Sequence, residues 1–225
     1  MKNIINLITI ITLSITFANA QIDKTLENTW KVPANKKVSL NLKFGTDIKV
    51  TAYNGNEVKL KSYLTASSEE LLKAHRIKAS EGSDLVDVVA DYDFGDKDQR
   101  KDQCWNCNDW NPNCFCLKVR YEVMVPADVA LNLETISGDI EIRGLTGEIR
   151  AKSISGYVDV ALKPSAKADL NFKSITGEIY TDFDGIKLDG KSTSYSKRLS
   201  SSLNGGGPRV ALETISGDIY FRKGK

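Results

Sequence analysis

The feature that most constrains this chain is an internal repeat in its second half. Leu133-Glu-Thr-Ile-Ser-Gly-Asp-Ile140-Glu-Ile142 returns almost letter for letter as Leu212-Glu-Thr-Ile-Ser-Gly-Asp-Ile219-Tyr-Phe221. Between them stand Lys152-Ser-Ile-Ser-Gly156-Tyr-Val158-Asp-Val160 and Lys173-Ser-Ile-Thr-Gly177-Glu-Ile179-Tyr180, with a half-copy at Leu145-Thr-Gly147-Glu-Ile149. The motif glycines Gly138, Gly156, Gly177 and Gly217 are spaced by 18, 21 and 40 residues, a period near 20 with one motif missing. Periods of that size belong to stacked supersecondary units, none of which can bury its apolar face alone.

The letters of one unit define its shape. Leu133, Ile140 and Ile142 alternate with Glu134 and Glu141, the pattern of strands with one dry and one wet face. Gly138, Gly147, Gly156, Gly177 and Gly217 are expected at corners, where glycine tolerates positive φ and neighbouring Ser, Thr and Asp hydrogen-bond the turn backbone. Stacking in register pairs each strand with its equivalent in the next coil. The expected fold is therefore all-β, a parallel β-solenoid of about 20-residue coils with an N-terminal strand region and one short helix. The missing motif falls in residues 191–207, polar and rich in Ser and Gly, which read as a loop leaving one coil.

Strand alternation in the first half covers residues 38–44, 48–50, 58–60 and 85–92, and resumes at 117–125 until Pro126 stops it. Ser67-Ser-Glu-Glu70 before Leu71-Leu72 is a capping-box signature, the one convincing helix start. His75 falls at the end of that helix, where the dipole favours its charged form; a surface or packing role is expected of it.

The first segment has Lys2, an apolar stretch over 4–17 and the small-x-small triplet Ala18-Asn19-Ala20. That is a secretory signal peptide cut after Ala20. The stretch falls short of the roughly 20 apolar residues of a spanning helix and is diluted by Asn6, Thr9, Thr12, Ser14 and Thr16. Gln21 in place of Cys leaves no lipid-attachment site. The expectation is an exported protein, periplasmic or extracellular at the cell surface, without stable membrane insertion. Four segments follow: 1–20 signal peptide, 21–95 N-terminal strand region with the helix, 96–116 a Cys-rich insert, and 117–225 the repeats, continuous with the N-terminal region.

All four cysteines lie in the insert, as Cys104-Trp-Asn-Cys107 and Cys114-Phe-Cys116. In an oxidising compartment an even count in one loop reads as disulfides. A turn near Pro112 would nest them as Cys104 with Cys116 and Cys107 with Cys114. Four thiolates could instead close a tetrahedral Zn²⁺ shell, although Cys-x-Cys is less usual there than a second Cys-x-x-Cys; free or redox-active thiols are a third state. Trp105, Trp110 and Phe115 lie in the same loop and suit either a platform for a sugar ring or peptide or a small core beside disulfides.

Charge decides less but excludes more. With 31 Lys and Arg against 29 Asp and Glu the formal net charge is +2, which does not suggest a nucleic-acid binder. One His in the whole chain leaves few ways to build imidazole catalysis, and no cofactor motif is present. Asp139, Glu148, Glu178 and Asp218 read as equivalent corner carboxylates, either hydrogen-bonding their own turns or aligned into a Ca²⁺ ladder; the first fits better because stacked like charges repel. The acidic run 91–98 imitates a Ca²⁺ loop but lacks its bidentate Glu. The favoured reading is a non-enzymatic protein meeting a protein or glycan at the cell envelope. The alternatives are a Zn-binding envelope protein and a polysaccharide-acting solenoid enzyme, the latter needing two carboxylates at set separation in a cleft.

The signal peptide, Tyr53-Asn-Gly-Asn-Glu-Val58, and the repeats Ser137-Gly138-Asp139-Ile140 and Ser216-Gly217-Asp218-Ile219 resemble a family of bacterial exported β-strand-repeat proteins of unknown function, adhesins among them. The resemblance spans most of residues 30–223. It implies a β-solenoid at the cell surface or in the periplasm with no catalytic residues to carry across, and it does not cover the Cys-rich insert.

Overall fold

A computed structural model describes residues 21–93, 117–186 and 196–224. The first half supplies β1 (Ile22–Lys31), β2 (Lys37–Leu42), β3 (Asp47–Tyr53), β4 (Glu57–Ala66), the helix α1 (Glu69–Ala74), β5 (His75–Glu81), β6 (Val86–Tyr92) and β7 (Leu117–Pro126). The second half supplies β8 (Ala130–Ser137), β9 (Asp139–Arg143), β10 (Ile149–Ser155), β11 (Val158–Leu162), β12 (Ala168–Ser174), β13 (Ile179–Thr181), β14 (Lys197–Leu203), β15 (Arg209–Ser216) and β16 (Ile219–Lys223). The fold is all-β but for α1, which Ser68 caps by accepting the Leu71 N–H.

The strands form two eight-stranded mixed sheets. Sheet A runs β1-β4-β7-β3-β9-β11-β16-β13 and sheet B runs β5-β6-β2-β8-β10-β15-β12-β14. Each repeat makes one rung: a strand in sheet B, a tight glycine corner, then a strand in sheet A. Rungs pair parallel and in register, so Leu133, Ala151, Leu212 and Phe172 line up in sheet B, and Ile140, Val158, Ile219 and Ile179 in sheet A. The pairs β2–β3 and β6–β7 of the first half are further rungs of the same sheets. Antiparallel strands flank the rungs, β4 and β1 in sheet A, β5 and β14 in sheet B.

Alternation along every rung sends one set of side chains into a continuous core between the sheets. Leu133, Ile140, Val158, Val160, Ile219 and Phe221 are fully buried, each contributing roughly 1.5–3 kcal/mol relative to exposure. Phe221 lies 5.1 Å from Phe172 and 4.9 Å from Phe183, closing the core near β13.

Two expectations need correction. Coils do not stack in chain order: the last rung, β15–β16, slots between β10–β11 and β12–β13. The outward side chains give a physical reason. In the observed order Glu134, Lys152, Glu213 and Lys173 alternate in sign across neighbouring strands, whereas chain order would set Lys152 beside Lys173. Opposite cross-strand charges stabilise by roughly 0.2–1 kcal/mol and like charges oppose pairing. Residues 191–207 are also not simply a loop, because 197–203 form β14, where Leu199 and Leu203 alternate into the core.

Candidate functional site

The corners align into a ridge where sheet B passes into sheet A. A Cβ on Gly138 would lie 1.7 Å from the Gly45 carbonyl oxygen, on Gly156 2.2 Å from that of Gly138, on Gly217 2.2 Å from that of Gly156, and on Gly177 1.8 Å from that of Gly217. Glycine is required at each level because backbone rests on backbone. Gly138 and Gly156 also have φ of 139° and 141°, closed to side-chain-bearing residues. Gly147 is not part of this ladder. It lies at the opposite corner beside Val129, and Glu148 belongs there too, its carbonyl accepting the Leu131 N–H. The expectation that Glu148 shares a corner with Asp139 is thus corrected: the half-copy starts a sheet B strand instead of ending one.

Three residues before each glycine a buried hydroxyl ties the rungs together. Ser153 donates to the Gly138 carbonyl at 3.0 Å, Thr214 to that of Gly156 at 3.1 Å and Ser174 to that of Gly217 at 2.9 Å, while Thr135 reaches Leu42 at 2.8 Å. The residue after each glycine completes the link. Asp139 Oδ1 accepts the Tyr157 N–H and Asp218 Oδ1 accepts the Glu178 N–H, each from the adjacent rung. Burial is the largest influence on the Asp139 carboxyl and pushes its pKa up. With Tyr157 between Asp139 and Asp218 the carboxylates are not a continuous ladder. Among the described residues no group of three or more His, Cys, Asp or Glu is arranged to hold a metal ion.

On the outside of the ridge Ile136, Ile154 and Ile215 stack with their side chains exposed, and half-buried Ile175 continues the row. The signal for this stripe was in the repeat, since each copy has Ile two places before its glycine. The alternation of Leu133, Ile140 and Ile142 with Glu134 and Glu141 does not by itself single those residues out.

At the rung β6–β7 the short corner is replaced by a long connection. Asp93 and Leu117 bound it, and Cys104, Trp105, Cys107, Trp110, Cys114, Phe115 and Cys116 all lie outside the described residues. Its two roots are firmly seated. Asp91 pairs with Lys43 at 2.7 Å, the Tyr92 ring stacks on Phe44 at 5.2 Å, and the Asp93 N–H donates to Ala74. Beneath them His75 Nε2 meets the Tyr121 hydroxyl at 2.8 Å.

His75 is only 6% exposed, and burial, with Arg76 beside it, pushes its pKa down to about 4. This overturns the expectation that the helix end favours its charged form. Six-residue α1 presents a weak dipole, and packing against Tyr92 and Tyr121 removes the water a cation needs. Burial also raises the pKa of both tyrosines. A histidine sealed against a neutral phenol has no access to substrate. Next to the Leu117 root, Lys24, Lys118, Arg120, Tyr63, Thr46 and Asp23 line an open hollow of about 360 Å³.

The described residues thus define a class: a two-sheet, rung-built β protein with a cross-linked corner ridge and a long insert rooted at one level of it. Residues 31–222 match the Toastrack DUF4097 family, and the chain belongs to that family. No curated protein matches the chain. Among solved structures it is similar to one described as a "putative cell adhesion protein" from Clostridium sporogenes ATCC 15579, with 15% identity over 89% of this chain and 100% of that one and a TM-score of 0.51. A "putative adhesin" from Bacteroides fragilis NCTC 9343 shares 12% identity over 88% and 97% of the two chains at a TM-score of 0.26. Another from Parabacteroides merdae ATCC 43184 shares 8% over 90% and 97% at 0.25. The Clostridium likeness is one of fold. Among the described residues no helix is long and apolar enough to cross a membrane.

Proposed function

We propose that the chain is an exported, non-enzymatic adhesion or interaction protein of the bacterial cell envelope, its rungs a β-solenoid scaffold for a recognition surface on the Cys-rich insert and the adjoining ridge. The rooting of the insert carries this reading. Among the described rungs one alone exchanges its tight corner for a long segment, and half-buried Phe44 and Tyr92, packed over buried His75 and Tyr121, anchor that segment's ends. Repeats offer nearly the same side chains at every level, which suits a scaffold. The insert concentrates Trp105, Trp110, Phe115 and several Asn in one place, and specific recognition needs such unlike groups together. Disulfides Cys104–Cys116 and Cys107–Cys114 would lower the entropy lost when that loop is ordered against a protein or glycan. The name of the Clostridium protein of like fold agrees with an adhesive role. The test is a Trp105→Ala, Trp110→Ala double variant that keeps its circular dichroism spectrum, compared with the parent for adhesion of coated beads to envelope preparations. Undiminished adhesion would refute the placement of the surface, and glycan turnover lost on mutating one carboxylate would refute the non-enzymatic reading.

A further inference from the structure

The outer face of sheet A carries an aromatic cluster at the end remote from the insert. Register sets Tyr220 of β16 beside Tyr180 of β13, their rings stacked at 5.1 Å with 13° between planes. Tyr157, at the ridge end of β11, meets Tyr220 edge-on at 6.0 Å and 85°. β13 is the last strand of sheet A among the described residues, and none of the described strands covers the far side of Tyr180. At 49% that side chain is the most exposed large hydrophobic one among the described residues.

We propose that this face binds an uncharged oligosaccharide, with a pyranose ring against Tyr180 and the chain running along Tyr220 and Tyr157. Cross-strand stacking alone would account for a Tyr180–Tyr220 pair as sheet stabilisation. It does not account for the polar groups fixed around the pair. The Tyr220 hydroxyl donates to Asp218 and the Tyr157 hydroxyl to Glu141, both at 3.1 Å. Each carboxylate is thereby held in one orientation with acceptor capacity left over. Rigid aromatic faces for a sugar's C–H surface, bordered by preoriented acceptors for its hydroxyls, are what a pyranose requires.

Electrostatics select an uncharged chain. Arg143 and Arg222, the guanidiniums of this face, both clasp Asp159, which is 3% exposed and sits between them on β11. Their charge is offset by Asp159 and by Glu141 beside Arg143, although Arg222 keeps about half of its side chain exposed. Glu141 and Asp218 border the rings themselves, so uronate or sulfate groups would meet like charge.

The site shares no residue with the insert, so this proposal and the proposed function fail separately. The mature chain is titrated calorimetrically with chitohexaose, cellohexaose, laminarihexaose, maltohexaose, mannohexaose and galactohexaose, and with hexagalacturonate as the anionic control. At least one neutral hexamer is expected to bind saturably, with tenfold or greater weakening in Tyr180→Ala, little change in Tyr180→Phe, and none in the Trp105→Ala, Trp110→Ala variant. Tyr180 is exposed on an edge strand, so its truncation leaves the fold intact by circular dichroism; Tyr220→Ala repeats the test from the other ring. Binding to none of the neutral hexamers overturns the proposal. So does equal binding of hexagalacturonate, or neutral binding that survives Tyr180→Ala and disappears with the two tryptophans.

Discussion

Lys173 and Glu213 stand 3.6 Å apart on neighbouring strands although 40 residues separate them in the chain. The contact exists because the final repeat lies between the second and third, and it closes the row Glu134, Lys152, Glu213, Lys173. Two Leu-Glu-Thr-Ile-Ser-Gly-Asp units are thus kept apart by a Lys-Ser-Ile-Ser-Gly unit. The distribution of Glu and Lys among the copies matches their order in the sheet.

Glu213→Lys would set three lysines side by side on adjacent strands. Both partners are about one-third exposed, so solvent screening holds the loss below about 1 kcal/mol. Urea melts at low salt should show it, and 0.5 M NaCl should shrink it. A loss unchanged by salt would mean the row has no electrostatic role.

The glycine ladder makes a sharper prediction. Gly156→Ala forces a Cβ into the Gly138 carbonyl and a side chain into a forbidden φ, for a cost of about 2–4 kcal/mol. Gly185 also has positive φ, at 78°, but nothing lies within 4 Å of its Cβ position. Gly185→Ala should therefore cost only about 1 kcal/mol. Equal losses in chemical denaturation would show that strain alone, without close stacking, explains the motif.

How much of this was legible follows from particular residues. The all-β class and the short helix were readable because Leu133, Ile140 and Ile142 alternate with polar neighbours, and because Ser67-Ser-Glu-Glu70 caps locally. Rung order does not follow from the repeat alone, since copies adjacent in the chain need not be adjacent in the sheet. β1 is not legible because Asp23, Lys24 and Thr25 break its alternation, as suits an edge strand whose Ile22, Leu26 and Trp30 are only half-buried. β14 hid among serines. The burial of His75 could not be read locally at all, because Tyr121, which meets its ring, is 46 positions away.

The insert's chemistry is testable without its geometry. On the proposed reading the chain recovered from its own cells should begin at Gln21 and take up no alkylating reagent under denaturing, non-reducing conditions, with Cys104, Cys107, Cys114 and Cys116 all paired. Mass spectrometry checks both. Four alkylated cysteines would defeat the disulfide reading, and one equivalent of Zn²⁺ on the purified chain would establish the metal reading in its place.

His75 should make the fold acid-sensitive in a definite window. Its pKa is about 4 when folded against roughly 6.5 when unfolded, so below pH 6.5 the unfolded chain binds the proton that the folded one refuses. The stabilisation is complete above pH 6.5, declines as pH falls, and levels off below about 4, a loss on the order of 3 kcal/mol. Tyr121 faces the ring from β7 and Tyr92 from β6, both held neutral by burial, and Arg76 adds positive charge from the next position. Asp91, the carboxylate that acts on both tyrosines, is paired with Lys43, and burial and Arg76 are what set the His75 ring. His75→Gln keeps a polar partner for the Tyr121 hydroxyl while removing the titration. Its denaturation midpoint should change less than the parent's between pH 7 and 4.5, even if it starts lower. Parallel curves for the two proteins would show that acid acts elsewhere, and that the base beneath the insert tolerates a charged imidazole.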